Sequence, residues 1–173
     1  MTSGAKSQAR EWLESIVIAV VIAIVIKAFV FETVLVEGSS MLPTLKDSDR
    51  LAVNKIGYLL GKPEHGDIVV FEYPSDPSLI FIKRVIAVEG DSVEIKDHRV
   101  YVNGTELEEP YISEKPLGDF PEVVVPPNTV FVLGDNRNDS RDSRYADVGF
   151  IPLKNIRGEA VFRLWPVPPT IID

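Results

Sequence analysis

LIFIKRVIAVEGDSVEIKDHRVYVNG, residues 79–104, is the stretch on which the fold turns. Residues 79–88 form a β-branched run too short and too irregular for an amphipathic helix, and they read as a strand. Residues 92–96 and 99–102 alternate apolar and polar side chains around Asp97-His98, and Asn103-Gly104 follows. Both dipeptides sit where two-residue hairpin turns belong, and Asn-Gly is the strongest such signal. Working outward, the same grammar marks strands at 32–37, 50–54, 67–73, 129–133 and 158–164, divided by Pro, Gly, Asn and Asp. No long helical period occurs after residue 31. The expected fold is mostly β, an antiparallel domain. The Pro- and acid-rich stretch 106–127 reads as a long surface excursion, and Trp165-Pro166-Val167-Pro168-Pro169 reads as an extended tail.

The first part of the chain is different. SIVIAVVIAIVIKAFVF, residues 15–31, is apolar except for Ser15 and Lys27. With Trp12 and Leu13 it makes a helix of about 30 Å at roughly 1.5 Å per residue, the thickness of a bilayer core. No small-x-small site follows it, which favours a retained anchor over a cleaved leader. Lys6 and Arg10 place the short N-terminal side in the cytoplasm, and Lys27 can snorkel toward the opposite headgroups. The expected division is a cytoplasmic segment 1–14, a transmembrane anchor 15–31 and an extracytoplasmic domain 32–173. That makes a single-pass protein of the plasma membrane, with the lipid bilayer as a partner.

Composition removes several function classes. The 173 residues include no cysteine, so disulfides and thiolate metal sites are excluded, and two histidines are too few for a histidine metal centre. No metal and no other cofactor is expected. A net charge of −8, without a dense basic run, argues against nucleic acid as a partner.

Three segments carry polar residues that turns alone do not explain. GSSMLPTL, residues 38–45, sets Ser40 between an apolar strand and a Met-Leu-Pro corner. In residues 79–86, strand alternation puts Lys83 on one face with Phe81 and Val85, and Arg84 on the other with Ile82 and Ile86. A lysine among apolar neighbours loses hydration, so its pKa falls. At about 7–8 such an amine serves as a general base. GDNRNDSRDSR, residues 134–144, is polar or charged in every residue but the first, and its Asp/Arg alternation suggests a loop crosslinked by charge-assisted hydrogen bonds.

Together with GDIVVF at 66–71, these segments resemble, in order and spacing, the bacterial type I signal peptidases, or leader peptidases. The resemblance implies a signal-peptidase-like catalytic core of coiled antiparallel sheets close to a membrane. Its implied activity is serine endopeptidase cleavage of preproteins after small-x-small (Ala-x-Ala) sites, through a Ser/Lys dyad. It implies Ser40 as nucleophile, Lys83 as general base and Ser140 as the hydroxyl orienting that base. Asp142, Arg144, Asp135 and Arg137 would then support the loop. The backbone N–H of Ser40 is the implied oxyanion donor. Some relatives carry a second donor, a serine two residues before the nucleophile, where this chain has Gly38. By offset from the two motifs, Val34, Val36, Met41, Leu45, Phe81 and Ile82 are implied walls of the substrate cleft. The extended substrate would lie beside residues 34–39 and 80–82. The spacer Tyr145-Ala146-Asp147-Val148 between Arg144 and Gly149 is longer than in many relatives. The chain resembles the compact single-anchor form common in Gram-positive bacteria.

Other readings fit less well. Residues 57–62, GYLLGK, are one residue short of a phosphate-binding loop, and Pro63 stands where Ser or Thr belongs. Self-cleaving domains of SOS-type repressors share the dyad, but this chain has an anchor run and no DNA-binding module. A non-enzymatic, membrane-anchored β-domain that binds a partner would be indifferent to loss of the Ser40 hydroxyl.

Overall fold

The computed structural model describes residues 3–166 and 168–172. The side chains of Lys6 and Lys27, invoked for topology, lie outside the described residues, as does Val167 of the tail.

Helix α1, Ser3–Phe29, leads directly into strand β1, Phe31–Leu35. The helix therefore begins well before Ser15 and does not reach Phe31. Phe31 and Glu32 instead face Asn54 and Val53 across an antiparallel ladder. Among the described residues no helix is both long and apolar enough to cross a membrane. Among its described side chains, Arg10, Glu11 and Glu14 are charged and the run from Ser15 to Ile22 is apolar after the serine. The apolar side chains described beyond them, from Trp12 to Ile24, are each more than half exposed.

The remaining strands are β2 (Arg50–Asn54), β3 (Ile68–Glu72), β4 (Ile80–Val88), β5 (Ser92–Lys96), β6 (Arg99–Val102), β7 (Thr105–Glu106), β8 (Phe120–Val124), β9 (Thr129–Leu133), β10 (Ile151–Pro152), β11 (Ile156–Trp165) and β12 (Thr170–Ile171). They build two antiparallel sheets. The larger runs β1-β2-β11-β3-β4-β9-β10, with β12 on β11; the smaller runs β7-β6-β5-β8. Asp97, His98, Asn103 and Gly104 all have positive φ, the geometry a two-residue turn between right-twisted strands demands. Those hairpins are where the alternation put them.

Two expectations change. Part of the excursion 106–127 is strand β8, which pairs with β5. Phe120 and Val123 pack on the core, and Val125 is buried just beyond it. Pro121 fits because β8 is the edge of its sheet and spares a ladder bond there. The C-terminal tail likewise folds back, and Thr170–Ile171 pairs with Arg163 and Phe162 of β11.

Three clusters form the core. Val36, Met41, Leu45, Leu51, Val53 and Val70 lie under the Ser40 turn. Ile86, Val93, Ile95, Phe131 and Leu133 join the two sheets. Val69, Phe71, Val85, Val132 and Val148 fill the opposite face of the large sheet. Strand β4 serves all three through alternation, with Ile82, Ile86 and Val85 in different clusters. It is the element that carries Lys83.

Candidate active site

Ser40 follows β1 in a turn that is fastened at several points. Asn136 donates its backbone N–H to the Ser40 carbonyl at 3.0 Å, and its side chain donates to the Ser39 carbonyl at 3.1 Å. Ser39 Oγ donates to Asp139 at 2.6 Å, and Thr44 Oγ1 donates to Asp135 at 2.5 Å. The serine is thus held between β1 and the polar loop 134–144, although those segments are far apart in sequence.

Lys83 is only 4% exposed in the middle of β4. Its Nζ lies 2.7 Å from Ser40 Oγ and donates to the Ile82 carbonyl at 2.9 Å, with the Phe81 ring centroid 5.2 Å away. Burial pushes its pKa down from 10.5 to about 8, against the opposing pull of Asp142 and then Asp135. About half of the amine is therefore neutral near pH 8, and one N–H is tied to Ile82. The nitrogen lone pair can then meet the serine hydroxyl.

The loop 134–144 is the crosslinked structure its composition suggested. Asp142 accepts from Arg144 Nε and Nη2, both at 2.8 Å, and from the Gly134 N–H at 3.0 Å. Arg144 also donates to the Arg137 carbonyl at 2.7 Å, and Arg137 Nε to the Gly134 carbonyl at 3.1 Å. Asp135 receives Arg84 in a two-pronged contact at 3.0 and 2.9 Å. Asp135, Arg137 and Asp142 are each at most 1% exposed. A Cβ at Gly134 would collide with Ser140 Oγ and the Ser40 carbonyl, so no other residue fits there.

Ser140 lies in the same loop. Its Oγ is buried and has no hydrogen-bond partner among the described residues. The second contact of Lys83 is the Ile82 carbonyl in its place. The cleft over Ser40 and Lys83 has a volume of about 550 Å³ and is lined by Val34, Val36, Met41, Phe81 and Ile82 from the expected set. Leu45 is corrected: it is fully buried core beneath the turn and does not line this cleft. Ile80, from the stretch 80–82 expected beside the substrate, lines the cleft, as does Arg141, which was not anticipated. Two more residues escaped sequence reasoning. Glu109 accepts both Arg137 Nη atoms, at 2.8 and 2.5 Å. Tyr111 lays its ring 4.0 Å from the Arg84 guanidinium. Their one sequence signal is Glu109-Pro110-Tyr111, an aromatic beside an acid within the excursion.

The donors of the turn also sort themselves. Gly38, at φ +94°, spends its N–H on Asp47 at 2.8 Å, whereas the Ser40 N–H has no acceptor among the described residues. The cleft is flanked by two open strand edges. β1 ends its sheet, and β9 pairs with β4 only from Arg84 onward.

A serine hydroxyl 2.7 Å from a buried lysine amine, under an apolar cleft with open strand edges, is an arrangement suited to nucleophilic attack on a peptide carbonyl. Relatives agree on the class: the family described as signal peptidase, peptidase S26, matches residues 9–165, and the chain belongs to it. The chain is 46% identical over 166 residues to a probable signal peptidase I-2 of Synechocystis sp., covering 91% of this chain and 75% of that one. It is 42% identical over 171 residues to signal peptidase I of Bacillus licheniformis, covering 93% and 91%. The crystal structure of a signal peptidase I from Enterococcus faecalis V583 superposes with a TM-score of 0.53 at 33% identity, over 58% of this chain and 97% of that one.

Proposed function

We propose that this peptidase removes signal peptides from preproteins by a Ser40/Lys83 mechanism. The observation that carries the reading is the 2.7 Å contact between Ser40 Oγ and the buried Lys83 Nζ. The neutral amine accepts the Ser40 proton as Oγ attacks the scissile carbonyl, and a tetrahedral oxyanion forms. The Ser40 N–H, which no protein group takes among the described residues, is positioned to donate to that oxyanion. The Lys83 ammonium then protonates the leaving amine, and the mature protein departs. Water, deprotonated by the same amine, attacks the acyl-enzyme and releases the signal peptide. A buried hydroxyl without a partner calls for a role, and Ser140 is the group that orients Lys83 once Ser40 has given up its proton. Asp142, Arg144, Asp135 and Arg137 keep the loop from moving under it. Apolar walls from Val34, Val36, Met41, Phe81 and Ile82 favour small residues beside the scissile bond. The substrate main chain lies extended between the open edges of β1 and β4.

The test is incubation of the purified protein with an Ala-x-Ala preprotein. The parent yields the mature product, and Ser40→Ala lowers the rate by about a thousandfold or more. Ser39→Ala, which loses only the bond to Asp139, costs about tenfold or less, the worth of one charge-assisted hydrogen bond at a turn. Turnover by Ser40→Ala at the parent's rate would sink the assignment and favour a domain that only binds.

The same reading includes an anchor. α1 is apolar on all sides from Ile16 to Ile22, and its large side chains there are each more than half exposed. A helix apolar all round is suited to lipid. With Arg10 on the short flank, the domain from Glu32 onward lies outside the cytoplasm. Protease added to intact spheroplasts is expected to digest that domain. Protection until lysis would reverse the topology.

A further inference from the structure

The spacer Tyr145-Ala146-Asp147-Val148 takes no part in the chemistry above, yet its Asp147 grips both sides of the cleft. The Asp147 carboxylate accepts from the Tyr73 hydroxyl and from Arg141 Nε at 2.6 Å, and its backbone carbonyl accepts from Ser75 Oγ at 2.6 Å. Tyr73 and Ser75 belong to the turn between β3 and β4, closed by the Tyr73 N–H donating to the Leu79 carbonyl at 2.9 Å. Arg141 belongs to the polar loop that carries Ser140. The Tyr73 ring stacks on Phe81 with centroids 4.7 Å apart and planes 11° from parallel. Phe81 and Arg141 both line the cleft, and Val148 is buried in the cluster on which Tyr73 and Phe81 pack.

We infer that the Tyr73–Asp147–Arg141 bridge is a specificity device, which holds the Phe81 wall in place and so limits the side chains admitted beside the scissile bond. The inference rests on the cleavage reading given above. A half-buried aromatic wall without support yields to a larger side chain by turning aside. With its stacked neighbour pinned at the hydroxyl, the wall resists, and overfilling the pocket carries its full penalty. The bridge also persists through the neutral range. The Tyr73 hydroxyl and then Arg141 hold the Asp147 carboxyl below its usual value, so it stays ionised. Because carboxylate and guanidinium satisfy each other, the bridge itself adds no net charge to the rim.

The experiment uses two matched peptides, one with Ala-x-Ala before the scissile bond and one with Val replacing the final Ala. The parent, Tyr73→Phe and Asp147→Asn are compared by kcat/KM. Tyr73→Phe keeps the stacked ring and removes only the tie, so it reads the bridge even if Asp147→Asn fails to fold. In Tyr73→Phe the rate on the Ala peptide is expected to stay within about threefold of the parent, while the Ala-over-Val preference falls by about tenfold, the scale of discrimination a rigid pocket gains per methylene. An unchanged preference in Tyr73→Phe would overturn the inference. Failure of the parent itself to cut the Ala peptide would overturn the cleavage reading, and this inference with it.

Discussion

Lys83→Arg is expected to abolish cleavage at every usable pH, whereas the parent's kcat/KM should climb as pH rises through about 8, the depressed value of the lysine. Only the neutral amine can take the Ser40 proton, and a guanidinium keeps its charge throughout. The expected loss is about a thousandfold or more, as for removal of the general base in other acyl-transfer sites. The check is a pH–rate profile of both proteins on the same preprotein. A Lys83→Arg variant with the parent's rate and acid limb would remove Lys83 from the base role. Stability carries the same signature. Between about 8 folded and 10.5 unfolded, the unfolded chain binds more protons, so stability rises with pH across that window. Below it both states are charged, and the burial penalty stands in full.

Asp135→Ala is expected to cost about 3–5 kcal/mol of stability, because it removes a buried carboxylate that takes two hydrogen bonds from the buried Arg84 guanidinium. Both partners are at most 2% exposed, so water cannot take over the charge. The Gly66 carbonyl accepts from Arg84 Nη1 at 2.9 Å, and the Tyr111 ring lies 4.0 Å from the guanidinium, so the carboxylate is one part of a wider set of contacts. Thr44 loses its acceptor in the same step, which loosens the turn that presents Ser40. Against the roughly 5–15 kcal/mol available to a domain, such a loss should be plain in a urea titration. A shift below about 1 kcal/mol would mean that the pair is idle in holding the fold.

The strands were legible where alternation and turn chemistry agree. Residues 92–104 show both, and their hairpins stand with positive φ at the two dipeptides. Strand β8 was obscured by Pro121 and its acidic surroundings, since a proline demotes a strand in any local reading unless the edge position is known. The division of β4 between Lys83 and Arg84 was legible because a period of two is enforced by the pleat. The partners of those residues were not. Glu109 meets Arg137 across 28 positions, and ion pairs over that span have no period to betray them. Leu45 was misplaced because an offset from a motif tells which turn a residue belongs to, not whether its side chain points into the cleft or under it. Ser140 lies in the polar loop, but which group its buried hydroxyl meets depends on how that loop packs against β4, which no spacing encodes.

If a substrate lies between the open edges of β1 and β4, as proposed, those edges also decide which proteins are safe from this one. A chain accepted between them must arrive with its own main-chain donors and acceptors unspent. A bond inside a finished helix or sheet would first have to be torn from its partners, at the cost of several hydrogen bonds together. Discrimination of this kind reads the state of the polypeptide as well as its letters. An Ala-x-Ala triplet within a folded domain is invisible, while the same triplet in a slack linker is exposed. Maturation would then be timed by the substrate's own folding, since every structured segment that closes near the cut narrows the interval in which it can be made.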